Sequence, residues 1–192
     1  MDYQSVRNVI LKKLEEKLPS YLVYHNASHT SDVIHAAKEI ARAEKINGDD
    51  LTLLLTAALF HDSGYIFGSK GHEQKSCEIA EQYLPLYGYS NEQISRIKKI
   101  IMATKVPQSP QNHLGEILAD ADLDYLGRDD FFTIDKKLFE ELKLTGVLSN
   151  EDEWNRMQER FLESHSYFTE TAKQKRRPTK LKNLQLIKSL IK

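Results

Sequence analysis

The chain reads as an all-α protein, a helical bundle of seven or eight helices. Three observations predict that class. Apolar residues recur at three- and four-residue spacing along most of the 192 residues. Runs that alternate apolar and polar, the mark of half-buried strands, are nearly absent. Breaks carrying Pro or Gly fall between the periodic segments.

The first segment places Val6, Val9, Ile10, Leu14 and Leu18 at helical spacing, and Pro19 stops it. A second helix is predicted from Ser28 or Thr30 to about Lys45, where "INGDD" supplies the break. A third runs from Asp49 or Asp50 through "LTLLLTAALFHD" to Ser63-Gly64 and is apolar on nearly every side, as a central buried helix must be. "GYIFGSKG", 64–71, reads as a glycine-rich loop. Helices follow over about 72–84, 91–103, 113–127, 130–143 and 150–172, with "VPQSPQN" as a connector. Pro178 precedes a final basic helix over 179–191. The predicted organisation is a domain over 1–178 and a basic C-terminal helix over 179–192. That helix's stripe of Leu181, Leu184, Ile187 or Lys188, and Ile191 would dock on the domain or on a second subunit of a homodimer.

Composition narrows the function classes. The chain is 40% hydrophobic and 29% charged, as ordinary globular proteins are. A formal charge of -1 gives no global reason to expect nucleic acid or a membrane surface as partner. The basic tail lacks the aromatics that single-strand binding uses, so nucleic acid is disfavoured there too. The lone Cys77 can form no internal disulfide, which fits a reducing, cytoplasmic compartment. No early stretch has the form of a signal peptide. The longest apolar run, Leu53 to Phe60, is far short of the roughly 20 residues a spanning helix needs.

Three places offer chemistry. On the second helix His29, Val33, Ala36 or Ala37, and Ile40 share one face, so a histidine is aligned with the core stripe. His35, about 240° round from it, should face solvent. A histidine on an apolar face is more often a satisfied core residue than a ligand. In "ALFHDSG", His61 and Asp62 close the most apolar helix, where an uncompensated carboxylate is costly. A divalent cation would compensate it, as would an ordinary helix-end pair. In "EILADADLDYLGR", Asp122 shares a stripe with Leu114, Leu118, Ala121 and Tyr125, whereas Asp120 and Asp124 read as a solvated acidic face. Three helices thus each aim a ligand-type residue inward: His29, His61 with Asp62, and Asp122. Two neutral imidazoles and two carboxylates around one divalent ion sum to zero charge and leave open positions for a water and a substrate.

With its His…His-Asp…Asp order over roughly residues 20–130, the sequence resembles the HD-domain superfamily of metal-dependent phosphohydrolases. The resemblance implies an all-α fold, with His29, His61, Asp62 and Asp122 as ligands of a divalent ion (Mn, Mg, Fe, Co, Ni or Zn). "YHNASH" is also similar to the YHNxxH signature of cyclic-nucleotide phosphodiesterases in that superfamily, which implies that His25 protonates the leaving oxygen. Thr104, in "MATK", stands where two-metal relatives often have a histidine, which favours one ion over two. Ser63-Gly64-Tyr65 lacks the acidic pair of the guanosine-tetraphosphate hydrolases. Diiron oxygenases on this fold need more histidines than the chain places. The function expected is hydrolysis of a phosphate ester, of a nucleotide or another small molecule. Asp62 or Asp122 would orient the attacking water while remaining a ligand, with Asp62 taken as the catalytic carboxylate, and His72, Lys105 and Arg128 would contact substrate. The other class in view is a non-catalytic, regulatory HD domain that binds a nucleotide or a protein.

Overall fold

The computed structural model describes residues 1–191; Lys192, the last residue of the expected basic segment, lies outside the described residues. Nine α-helices and no strand are present among the described residues: α1 (Tyr3–Lys17), α2 (Ala27–Ala43), α3 (Gly48–Phe60), α4 (His72–Tyr83), α5 (Asn91–Ile101), α6 (His113–Asp122), α7 (Phe131–Leu144), α8 (Glu151–Ser164) and α9 (Glu170–Leu190). Short 3₁₀ turns, Ser63–Phe67, Leu84–Tyr87, Met102–Thr104 and Asp124–Gly127, extend or join them. Among the described residues no single helix is long and apolar enough to cross a membrane.

The chain divides into two compact units. One comprises Met1–Pro19 and His25–Asp122, the other Ser20–Tyr24 and residues 123 onward. In the first, α3 is the centre, as its all-round apolar character predicts: Leu53, Leu54, Leu59 and Phe60 are each 0% exposed. Burying each such side chain contributes about 1.5–3 kcal/mol. Helix α1 lays Val6, Ile10 and Leu14 on this core, while Val9, expected on the same stripe, is exposed. Helix α2 adds Val33, Ala37 and Ile40. Helix α5 adds Ile94, Ile97, Ile100 and Ile101 behind a capping box made by Ser90 and Gln93.

The second unit has its own core of Tyr24, Leu123, Tyr125, Leu126, Phe131, Leu162, Leu184 and Ile187. Trp154 packs here too, donating from Nε1 to Asp135 Oδ2 at 3.0 Å and stacking on Phe139. The tail differs from the sequence expectation. The helix predicted over 150–172 ends at Ser164, and the one predicted from 179 begins at Glu170, so the expected boundary after Pro178 falls inside α9. Pro178 costs one backbone hydrogen bond, but the helix is held by side chains on both sides of it. Arg176 donates to Asp124 at 2.6 and 2.8 Å, and Asn183 to the Leu126 carbonyl at 2.9 Å. Lys180 and Asn183 are therefore buried, and Leu181 of the expected stripe is 46% exposed. Gly127 allows the close approach of α9, since a Cβ there would lie 2.3 Å from the Arg176 carbonyl oxygen.

Candidate metal centre

Asn26 starts the site. Its side chain accepts from Ser28 N at 2.9 Å and His29 N at 3.3 Å, fixing the first turn of α2. His29 is thereby held at the head of the buried stripe that runs on through Val33 and Ile40. His35 is exposed, as its position on the helix predicts. His61 follows the last residue of α3 and is 0% exposed. Its Nδ1 lies 2.7 Å from the Ala58 carbonyl oxygen and must carry the proton, which leaves the Nε2 lone pair free to ligate. The turn after it is pinned by Ser76, whose hydroxyl donates to the His61 carbonyl at 2.6 Å and accepts from Gly64 N at 2.9 Å. Gly64 is required there, because a Cβ would lie 2.0 Å from the His72 carbonyl oxygen.

These elements converge on Asp62 and on Asp122, the last residue of α6. His29 Nε2 lies 3.3 Å from Asp62 Oδ2 and 3.2 Å from Asp122 Oδ1. His61 Nε2 lies 3.2 and 3.4 Å from the same two oxygens. Donor atoms of His29, His61 and Asp122 all fall within 4.8 Å of one another. Ligands at roughly 2.1 Å from a common ion stand about 3.0–3.4 Å apart, so the observed separations match a coordination shell. The hydrogen-bond inventory agrees: His61 Nε2 and Asp62 Oδ2 are buried and have no hydrogen-bond partner. Orphaned polar atoms of this kind are expensive unless an ion takes them. The residues fit a divalent cation.

Electrostatics point the same way. Burial opposes protonation of His29, but Asp122 and Asp62 outweigh it and raise its pKa from 6.5 to about 9. His61 is likewise raised well above its ordinary value against burial, by Asp62 and Asp122. Burial alone would raise Asp122, yet His29 and His61 pull it down to about 2. Asp62 is held well below the usual range, against burial, by His61, His29 and His72. Two carboxylates in this space demand positive charge, which the histidines supply as protons or an ion supplies outright.

Beside the cluster stands a three-ring stack. Tyr65, 7% exposed, lies between His25 and His72, with centroids 4.2 Å from each. Its hydroxyl is 3.1 Å from His25 Nε2. His72 Nε2 faces Asp62 Oδ1 at 3.4 Å, and its Nδ1 donates to the Ser69 carbonyl at 3.0 Å. His25, His29, His61, Asp62, His72 and Asp122 are thus brought together. Lys105 is exposed in the connector after α5. Arg128 belongs to the second unit, where Asp130 at 2.6 Å and Asp124 at 3.8 Å compensate its charge. Thr104 is buried and donates to the Ile101 carbonyl.

The acidic triplet needs a correction. Asp120 is 0% and Asp124 4% exposed, so neither belongs to a solvated face. Helix α6 is covered on more than one side, and it ends at Asp122, so Asp124 sits in a turn where Arg176 reaches it. Tyr65 and Ser76 were not visible as site residues in the sequence. Tyr65 lies three residues past Asp62, but only the 3₁₀ turn carries its ring back between two histidines.

A family model for the HD domain matches residues 26–124. The chain belongs to the HD-domain family. The four candidate ligands lie within the matched residues, and HD domains bind divalent metals. Among solved structures, a predicted HD superfamily hydrolase from an uncultured Thermotogales bacterium superposes with a TM-score of 0.64 at 23% identity, over 95% of this chain and 90% of that one. At that identity the likeness concerns the HD fold. A search of curated protein sequences found no match.

Proposed function

We propose that this HD domain is a metal-dependent phosphohydrolase acting on a phosphate ester of a nucleotide or another small molecule. The observation that carries the reading is the convergence of His29, His61, Asp62 and Asp122 with two of these atoms, His61 Nε2 and Asp62 Oδ2, buried and without a hydrogen-bond partner. His29, His61, Asp62 and Asp122 would hold a divalent ion, which would supply a bound water of lowered pKa and a Lewis acid for a phosphoryl oxygen. The chain's own groups supply the rest. Asp62 Oδ2 faces the two ligand histidines and Oδ1 faces His72, so its carboxylate is placed to orient a water within the site. His25 donates the proton that the leaving oxygen requires. Tyr65, bonded to His25 Nε2 and stacked on its ring, holds the imidazole's orientation. His72 lines the same space and contacts substrate or water, with Lys105 as an exposed cation for a phosphate.

Metal analysis of the purified protein, with a hydrolysis screen over nucleoside monophosphates, cyclic nucleotides and dinucleotides, tests this reading. Turnover dependent on Mn²⁺, Mg²⁺, Co²⁺ or Fe²⁺ is the expected result. No turnover with any of them, together with no bound metal, would sink it.

A further inference from the structure

The second unit contains a cavity of about 530 Å³ beside α9 and the segment that joins α8 to it. Pockets of roughly 300–1,000 Å³ accommodate small molecules. Lys173, Arg177 and Lys180 line it from one face of α9, spaced i, i+4, i+7; His165, Ser166 and Tyr167 line it from the joining segment. Lys180 is 5% exposed, the one lysine or arginine buried among the described residues. Its ammonium donates to the His165 carbonyl and to His165 Nδ1 at 3.3 Å, and lies 5.9 Å from the Tyr167 ring centre. All of these partners are neutral, and two of the three N–H donors are used.

A buried cation without a carboxylate is costly, and the environment confirms the strain: burial and then Arg177 push the Lys180 pKa down to about 8. Arg177 is exposed and has no ion pair or hydrogen bond among the described residues. His165 adds a second unmet group. Burial and Lys180 lower its pKa to about 4, so it is neutral, and with Nδ1 accepting, Nε2 carries a proton; that atom is buried with no partner. The carboxylates nearby are committed elsewhere, Glu163 to Lys188 at 2.5 Å and Glu170 to Lys173 at 2.8 Å. Leu162, Leu181 and Leu184 supply an apolar wall.

We propose that this cavity binds a phosphorylated small molecule, with its phosphoryl oxygens on Lys180 and Arg177 and its organic part against the leucine wall. A phosphoryl group suits the pair, because guanidinium and ammonium both make charge-assisted bonds to its oxygens. The Ser166 hydroxyl is a further donor on the same cavity.

The test is titration of inorganic phosphate into the full, chelator-treated protein by calorimetry and thermal shift, against chloride at matched ionic strength. Chelation keeps phosphate at the metal centre from contributing, and a His61→Ala variant should respond as the wild type does. Binding that raises the melting temperature beyond the chloride control is expected. Arg177→Ala, an exposed change that leaves the fold intact, should weaken it at least about tenfold. Lys180→Met should abolish it while the ligand-free variant melts at or above the wild-type temperature, because an uncompensated buried charge is gone. The proposal is overturned if phosphate acts no differently from chloride, or if Arg177→Ala binds phosphate as tightly as the wild type; should Lys180→Met fail to fold, the Arg177→Ala result decides alone.

Discussion

Two buried acid clusters, one in each unit, meet their charge in opposite ways. In the first unit Asp62 and Asp122 face His29 and His61, whose positive charge rests on protons that the two carboxylates favour. In the second, Asp124 faces the permanent charges of Arg176, at 2.6 and 2.8 Å, and of Arg128. The Arg-paired carboxylate is a finished structural contact that ties α9 to the turn at Asp124–Gly127. The His-paired cluster draws its counter-charge from exchangeable protons or from an ion, and it leaves two buried atoms without hydrogen bonds. A buried charge whose counterion comes from arginine is part of the fold. One whose counter-charge is exchangeable is a candidate site.

The largest effect expected from breaking this contrast is at His61. His61→Ala should remove metal from the purified protein almost completely, measured by elemental analysis, and with it any turnover. Metal content equal to the wild type would refute the ligand assignment. Next comes Arg176→Ala, which strands Asp124. Breaking a fully buried pair costs about 3–5 kcal/mol; with Arg128 still near, about 2–3 kcal/mol of lost stability is expected, with unchanged metal content. Denaturant unfolding and elemental analysis together separate the two clusters, and a variant that lost metal but kept its stability would invert their roles.

A third buried acid sharpens the comparison because it has neither kind of counter-charge. Asp135 accepts one hydrogen bond from Trp154, its Oδ1 has no partner, and burial raises its pKa from 3.8 to about 6 despite that bond. A raised folded-state value means the fold binds this proton more tightly than the unfolded chain does. The stabilising contribution is full below about pH 4 and is lost as pH rises through 6. Asp135→Asn should therefore be more stable than the wild type above pH 6, by up to about 3 kcal/mol, with no gain near pH 4. Melting curves between pH 4 and 8 check this; a gain that does not vary with pH would assign the effect to packing instead.

The smallest expected effect is at Tyr65. Tyr65→Phe keeps the stacked ring but removes the hydroxyl that meets His25 Nε2. A hydrogen bond of this kind contributes about 0.5–1.5 kcal/mol, so the rate should fall about tenfold or less with metal retained. A shift in the pH–rate profile would mark a positioning role for Tyr65. An unchanged rate and profile would assign the orientation of His25 to contacts other than this hydroxyl.

Much of the centre was legible in the sequence because its parts obey local rules. His29 heads an apolar stripe, His61-Asp62 closes an all-apolar helix, and Asp122 lies among leucines on α6. Periodicity exposes such residues, since a polar group in an apolar stripe conflicts with its surroundings. The same rule failed for Asp120 and Asp124, read as a solvated acidic face, and gave no sign of Lys180 or Asn183; all four are buried. Their burial depends on partners distant in sequence: Asp124 on Arg176, Lys180 on the His165 carbonyl, Asn183 on the Leu126 carbonyl.

By itself, then, the amino-acid order determined the all-α class, the central helix and the four candidate ligands, because each follows from which side chains share a face. Tertiary structure alone decided that α9 runs unbroken through Pro178, that Tyr65 stands between two histidines, and that Lys180 is buried beside an open cavity. Those outcomes rest on pairings between residues far apart in the chain, and helical periodicity carries no information about such pairings.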